Sequence, residues 1–484
     1  MTRETGVGFA VRGTLVHCPS LGVVEILRDH LLVTDHTGII SRLSPATEDE
    51  SVQYIKQNDV RTLPPGSFLI PTFCDLHLHA PQFMYQGTGL DLPLMQWLDK
   101  YAYKAEEMLD ARPDMARKVY KRLAQRLIEV GTGAVLLFGT INTETKYVLS
   151  AFSADLSFML FSLILADAMQ TLGVRAFVGK LSMDISSRET YRENSAADSL
   201  ANAKDFIQRC GNLVANGERL IEPVITPRFV PTCSNDLLQG LGELSKERAV
   251  RIQSHLAESY DEAKWVKDER HIDDIEVFDK YGLLREGTVQ AHCTFLDNPS
   301  LSRLAQRKTA VAHCPLSNVY FSEKPFPLRE ALDAGVMVGL GTDVAGGYSI
   351  DIMSGMRHAV AVSRMRESTR ILERISECAG KKETSERDAR SLAITWKESL
   401  YLATRGGALA LGLNQVGELK VHSPVDAQEI AVYDFENGAG IGGLDFFDDP
   451  PSSSGVTLEM VEKWWCMGDT RNRVGMWVQG KKLV

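Results

Sequence analysis

Pro71-Thr72-Phe73-Cys74-Asp75-Leu76-His77-Leu78-His79-Ala80-Pro81-Gln82 follows an apolar run and sets two imidazoles two residues apart where that run should end. In an extended strand residues i and i+2 face the same way, so His77 and His79 aim at one point from a rigid backbone edge. This is a spacing for two ligands of one metal ion. A lone His-x-His fits two unrelated histidines equally well, so the surrounding chain has to decide.

Beyond the pair, helical and strand patterns alternate. Met115, Val119, Leu123, Leu127 and Val130 repeat at helical spacing before Gly131, and Ala134-Val135-Leu136-Leu137-Phe138 then reads as a buried strand. The rhythm recurs, with strand candidates at 175–183, 220–226, 250–255, 288–292, 309–313 and 336–341. Ser234-Asn235-Asp236 before Leu237 and Leu238 predicts a helix start. Counting the run into His77, the strand candidates number eight. Continuous apolar strands alternating with helices imply a parallel sheet covered by helices, here an α/β fold of the (β/α)8 TIM barrel type.

The flanks read differently. Short β-like stretches at 13–16, 31–34, 39–43 and 66–70 offer little core alone, and similar stretches return at 418–421, 427–433 and 474–478. Residues 1–70 and 411–484 are therefore expected to build one small β-sandwich domain beside a barrel spanning 71–410. Three segments carry less information. Residues 145–167 lengthen what should be a short connection, as a long buried helix or as an insertion that either packs against the barrel exterior or exposes Phe158, Met159 and Phe161. Residues 437–455 read as a solvated loop and 380–390 as a charged surface segment.

Composition narrows the class. The 484 residues carry a net charge of -10, which argues against a nucleic-acid surface, and the 44% hydrophobic content is ordinary for a globular protein. Eight cysteines are scattered without a Cys-x-x-Cys pair, which predicts reduced thiols in a cytoplasmic protein. No secretory leader is expected from Met1-Thr2-Arg3-Glu4. The apolar run at 156–166 is far shorter than the roughly 18 residues a membrane span needs, so no membrane partner is expected.

On the barrel, His77 and His79 end the first strand, His255 the fifth, His292 the sixth and His313 the seventh, while Asp343 follows the eighth. That is the face where such barrels carry their active sites. Nitrogen and carboxylate ligands suit zinc, and three histidines plus one carboxylate with an open position form a catalytic set. Glu258, three residues past His255, is a candidate general acid and base.

The motifs around these residues, with Ser254-His255-Leu256-Ala257-Glu258, Ala291-His292-Cys293, Ala312-His313-Cys314-Pro315-Leu316-Ser317-Asn318 and Gly339-Leu340-Gly341-Thr342-Asp343-Val344-Ala345-Gly346-Gly347, resemble the amidohydrolase superfamily. Within it the chain is similar to the guanine deaminases. That narrower likeness rests on Ala80-Pro81-Gln82-Phe83, Asp91-Leu92-Pro93-Leu94-Met95-Gln96-Trp97-Leu98, Arg175-Ala176-Phe177-Val178-Gly179-Lys180 and Pro227-Arg228-Phe229. The resemblance implies hydrolysis of guanine to xanthine and ammonia on one zinc ion per chain, with His77, His79, His255 and Asp343 as ligands. It implies catalytic roles for Glu258 as proton shuttle and for His292 and Asp343 on the attacking water. Gln82, Arg228 and Phe229, together with His255 and Glu258, would surround the base. It further implies a cytoplasmic homodimer. Where the family pattern has Pro-Gly before the metal pair, this chain has Pro71-Thr72. A two-metal site bridged by a modified lysine is disfavoured because the fourth strand run contains no lysine; Lys180, on the third, is the loose end. Two other readings stay open: a related zinc aminohydrolase acting on another purine, a pterin or a triazine, and a catalytically silent scaffold, against which the intact ligands and Glu258 weigh.

Overall fold

The computed structural model describes residues 8–141, 161–214, 219–378, 390–447 and 455–484. Among them, β1 (Phe73–His79), β2 (Thr132–Phe138), β3 (Arg175–Ser182), β4 (Ile221–Pro227), β5 (Arg251–Leu256), β6 (Thr288–His292), β7 (Ala310–His313) and β8 (Val338–Leu340) lie side by side in chain order. Every pairing along the path is parallel. Every residue of β1 and β2 is buried, so these strands are covered on both faces and appear in sequence as unbroken apolar runs. This is the (β/α)8 barrel expected.

Closure occurs where β8 runs out beside β1. The Asp343 amide donates to the His77 carbonyl at 2.8 Å and the His79 amide to the Val344 carbonyl at 2.9 Å. Asp75, fully buried inside this seam, accepts from the Thr342 amide at 3.0 Å, the Thr342 hydroxyl at 2.5 Å and the His77 amide at 3.2 Å. Burial raises its carboxyl to about 7, although these donors pull it the other way.

Helices cover the barrel as their periodicity requires. Pro113–Glu129 buries Val119, Leu123 and Leu127 and ends before Gly131, whose φ of +80° suits glycine. Ser234 caps Asn235–Arg248 by accepting from the Leu237 amide at 3.2 Å. The stretch read as a long buried helix or an insertion, and the charged segment, fall largely on 142–160 and 379–389, outside the described residues. Helix Phe161–Leu172, which follows the first of these, buries Leu163, Leu165 and Met169. No helix among the described residues is long and apolar enough to cross a membrane.

Both termini contribute to a second sheet. Ala10–His17, Glu25–Thr34, Ile40–Pro45, Arg61–Thr62 and Ser67–Pro71 join Ala427–Ala431, Arg473–Val478 and Lys481–Lys482, with Ser67–Pro71 antiparallel to Ala427–Ala431 at the junction. The strand expected at 418–421 does not form. Gly417 (φ +84°) and His422 (φ +74°) turn the chain there, the Leu419 amide donates to His17 Nδ1 at 3.2 Å, and Glu418 faces Arg405 at 3.4 Å. The 437–455 stretch begins with a short ladder between Tyr433–Asp434 and Ala439–Gly440, and 448–454 lie outside the description. The helix Leu458–Met467 that follows was not anticipated. Its Trp464 is buried against Phe68 and Phe73, with ring centroids 5.6 and 6.5 Å away.

Arg175, at the start of β3, reaches across to this sheet. It grips the Asp426 carboxylate with Nε and, at 3.1 Å, with Nη2, which also donates to Gln479 Oε1 at 2.8 Å. The Asp426 side chain is 1% exposed, so Arg175→Met strands a buried carboxylate. That substitution is expected to lower the unfolding free energy by about 3 to 5 kcal/mol in urea titrations. A wild-type midpoint and slope would show that the pair does not couple barrel to sheet.

Candidate metal centre and active site

Four side chains converge at the C-terminal end of the barrel. His77 Nε2 lies 3.2 Å and His79 Nε2 3.5 Å from Asp343 Oδ1, and His79 Nε2 stands 3.0 Å from His255 Nε2. His255 Nδ1 sits 2.6 Å from the Arg228 carbonyl. A carbonyl only accepts, so Nδ1 carries the proton and Nε2 presents a lone pair. Burial first, then neighbouring positive charge, holds His77, His79 and His255 well below the usual imidazole range, so all three rings are neutral. His77 Nε2 is buried without a hydrogen-bond partner. Three neutral imidazoles with ligand atoms within 4.8 Å of one another, facing one carboxylate oxygen, are a poor arrangement in isolation and a good one around a divalent cation. The donor set therefore fits zinc. Cys314 also approaches His77 and His292, but burial raises its thiol well above the ordinary value and disfavours the thiolate a ligand would need.

Local backbone explains the convergence. Ala257 (φ +49°), His292 (φ +67°) and Asp343 (φ +49°) are left-handed at or just past strand ends, a costly conformation for non-glycine residues that recurs at functional sites. Gly341 lets β8 approach β1, since a Cβ there would lie 2.8 Å from His77 Cβ and 2.9 Å from Cys314 Sγ. Phe138 forms the floor, its ring centroid 4.7 to 4.8 Å from those of His77, His79 and His255.

The other expected residues surround this cluster. His292 donates from Nδ1 to Asn318 Oδ1 at 2.9 Å, and its Nε2 lies 3.6 Å from Glu258 Oε2 and 3.7 Å from Asp343 Oδ2. The Glu258 backbone is fixed on both sides, its amide donating to Glu262 at 2.8 Å and its carbonyl accepting from Thr294 Oγ1 at 2.9 Å. Burial, and then the negative charge of Asp343, push the Glu258 carboxyl well above its usual range, while Arg228 pulls it back. Gln82, Arg228, Phe229, His255, Glu258 and Asp343 line a single pocket, roofed by Leu94, Trp97, Leu98 and Phe321. Of the positions expected from sequence, His79 lines the same cavity, while His77 and His292 stand behind its wall, His77 beside Asp343 and His292 beside Glu258 and Asp343.

Two strand residues stand apart. The His313 ring packs on Phe326 with centroids 5.2 Å apart and joins no metal-competent group among the described residues. Lys180 is buried in an ion pair with Glu193. The sequence reading missed Glu106. It is fully buried on helix Tyr103–Asp110, accepting from Arg228 Nη1 at 2.6 Å and from Gln82 Nε2 at 2.8 Å. A signal existed, because Glu106 falls on the stripe that includes Leu98, Ala102 and Leu109, where a carboxylate needs a partner.

Residues 68–470 match the model of the amidohydrolase family. The chain is 33% identical over 479 residues to the guanine deaminase of Homo sapiens, covering 98% of this chain and 96% of that protein. It is 32% identical over 493 residues to the guanine deaminase of Dictyostelium discoideum, covering 98% and 97% respectively. The structure of guanine deaminase from C. acetobutylicum with guanine bound in its active site superposes with a TM-score of 0.80 at 27% identity, over 98% of this chain and all of that one.

Because a methyl group at position 341 would press on the His77 Cβ, Gly341→Ala is expected to weaken metal binding by about tenfold or more with the barrel still folded, the scale typical of disturbed metal-supporting shells. Competition against a chelator measures it, and wild-type affinity would mean that the close strand approach does not set the ligand geometry.

Proposed function

The chain belongs to the amidohydrolase family, and on that premise we propose that it is a zinc-dependent guanine deaminase hydrolysing guanine to xanthine and ammonia. The observation that carries this reading is the convergence of His77, His79, His255 and Asp343 on one point beside a pocket walled by Gln82, Arg228 and Phe229. We take these four as the ligands of one zinc ion per chain, and the enzyme as a cytoplasmic homodimer.

Such an ion acts as a Lewis acid and lowers the pKa of water toward about 7, making a nucleophile available at neutral pH. The chain's own residues supply the rest. Glu258, whose carboxyl burial and Asp343 shift toward the protonated form, donates its proton to the purine ring nitrogen beside the carbon under attack. Regaining a proton from the water, it passes that proton to the departing amine. His292, neutral and anchored through Nδ1 by Asn318, faces the water with Nε2 and shares its deprotonation with Asp343, and that proton then returns to Glu258 to restore its acid form. Arg228 donates to the carbonyl oxygen at position six of guanine, Gln82 pairs with the neighbouring ring atoms, and Phe229 stacks on the base. Leu94, Trp97, Leu98 and Phe321 keep bulk water from the mouth.

Incubating the purified protein with guanine, adenine, cytosine and a pterin, and following ammonia release, tests the assignment. Guanine should be turned over fastest, and Arg228→Ala should lower its kcat/KM by about tenfold to a hundredfold or more with zinc content unchanged, the effect of a lost charge-assisted bond in a buried site. Faster turnover of adenine or the pterin, or a silent Arg228→Ala, would move the assignment to another aminohydrolase.

For the proton shuttle, Glu258→Gln keeps the shape and removes the titrating group. It should retain one zinc per chain by metal analysis while turnover falls at least ~100-fold. Near-normal turnover in the loaded variant would reject this role, and two ions per chain would reject the single-metal site.

A further inference from the structure

Glu106 holds both groups that recognise the base. Its Oε2 accepts from Arg228 Nη1 at 2.6 Å and its Oε1 from Gln82 Nε2 at 2.8 Å. All three side chains are buried, Glu106 at 0%, Gln82 at 1% and Arg228 at 2% exposure. The helix presenting Glu106 is pinned from outside by its next residue, since Glu107 pairs with Arg188 at 2.6 Å. From inside, Tyr103 lies beneath the Arg228 guanidinium at 4.8 Å. Little freedom is left for the carboxylate to move.

Two consequences follow from the chemistry of these groups. A buried guanidinium without a counterion would attract any anionic ligand strongly, because low dielectric magnifies its field. Paired with Glu106, Arg228 keeps donors for a carbonyl oxygen, and the pair as a whole adds no net charge to the pocket. An ionised carboxylate only accepts, so Glu106 also fixes which end of the Gln82 amide faces it, and Gln82 Oε1 in turn accepts from the Ala345 amide at 3.3 Å. The remaining N–H and lone pair of Gln82 are then presented to the base in one orientation only.

We propose that Glu106 is a positioning residue that makes this site selective for an uncharged purine over anionic ones, by neutralising Arg228 and orienting Gln82. The proposal rests on the guanine deaminase reading above. Glu106 does not touch the reacting atoms; it acts through its two partners.

The test compares wild type, Glu106→Gln, Arg228→Gln and the double variant, each with metal content measured, using guanine as substrate and urate, a purine that is an anion at neutral pH, as inhibitor. Glu106→Gln should raise the KM for guanine by about tenfold or more, change kcat less, and tighten urate inhibition by about tenfold or more. The gain in urate affinity should vanish in the double variant, because it comes from the uncompensated Arg228. A purely structural role would weaken both ligands together, and that result overturns the proposal, as does unchanged urate inhibition in Glu106→Gln or a gain that survives loss of Arg228. Should Glu106→Gln fail to fold, Glu106→Asp replaces it, keeping the charge but shortening its reach. A raised KM for guanine without tighter urate inhibition then supports the proposal, and a wild-type KM overturns it. Wild-type turnover of guanine is read separately. Its absence would remove the guanine reading, while urate binding by calorimetry still judges Glu106.

Discussion

Asp75 sits between the first and last strands of the barrel, and the active site depends on how that carboxylate is used. Its partner Thr342 is 267 residues away in the chain, yet amide and hydroxyl both donate to it. The residue after Thr342 is Asp343, and the residues two and four after Asp75 are His77 and His79. One buried carboxylate therefore fixes the register in which the Asp343 carboxylate and the two imidazoles of the proposed metal centre meet. A slip of one residue at this seam would turn His77 and His79 to the opposite face of β1.

The charges in the pocket balance in two separate groups. Around the cation position, neutral imidazoles and the single carboxylate of Asp343 leave a site that a divalent ion completes. On the recognition side, Arg228 and Glu106 cancel one another at 2.6 Å. Glu258 stands between the two groups, with Asp343 pushing its carboxyl toward the protonated form and Arg228 pulling it back. Such opposing neighbours suit the proposed role of Glu258, which must give up and recover a proton within one turnover. Buried pairs of this kind add little to stability; what they contribute here is orientation.

Much of this was legible in the sequence, for identifiable reasons. Strands of a parallel barrel are covered on both faces, so they appear as apolar runs, and polar residues that end those runs stand out: His77, His79, His255, His292 and Asp343. His313 ended a run in the same way but packs on Phe326, because strand-end position does not determine the direction in which a ring points. Glu106 was missed because its place on a buried helical stripe shows only that it needs a partner, and that partner, Arg228, is far away in sequence. The supposed strand at 418–421 had the right composition, but the left-handed turns at Gly417 and His422 decided its course. The helix Leu458–Met467 is held by Trp464 against strands at the other end of the chain, a tertiary contact that local pattern does not reveal.

The interleaving of the two termini bears on how the molecule is made. Ser67–Pro71 leads into β1 through Thr72 alone, and one of its hydrogen-bonded edges is completed only by Ala427–Ala431. On a ribosome, the strand that leads into the barrel must wait with that edge open until nearly the whole chain has emerged. Unpaired apolar edges are where nascent chains aggregate. A message cut short before codon 427 would thus yield a chain holding all of the proposed site residues and lacking the partner of the strand that leads into the barrel, a product for the cell's chaperones and proteases rather than a smaller enzyme.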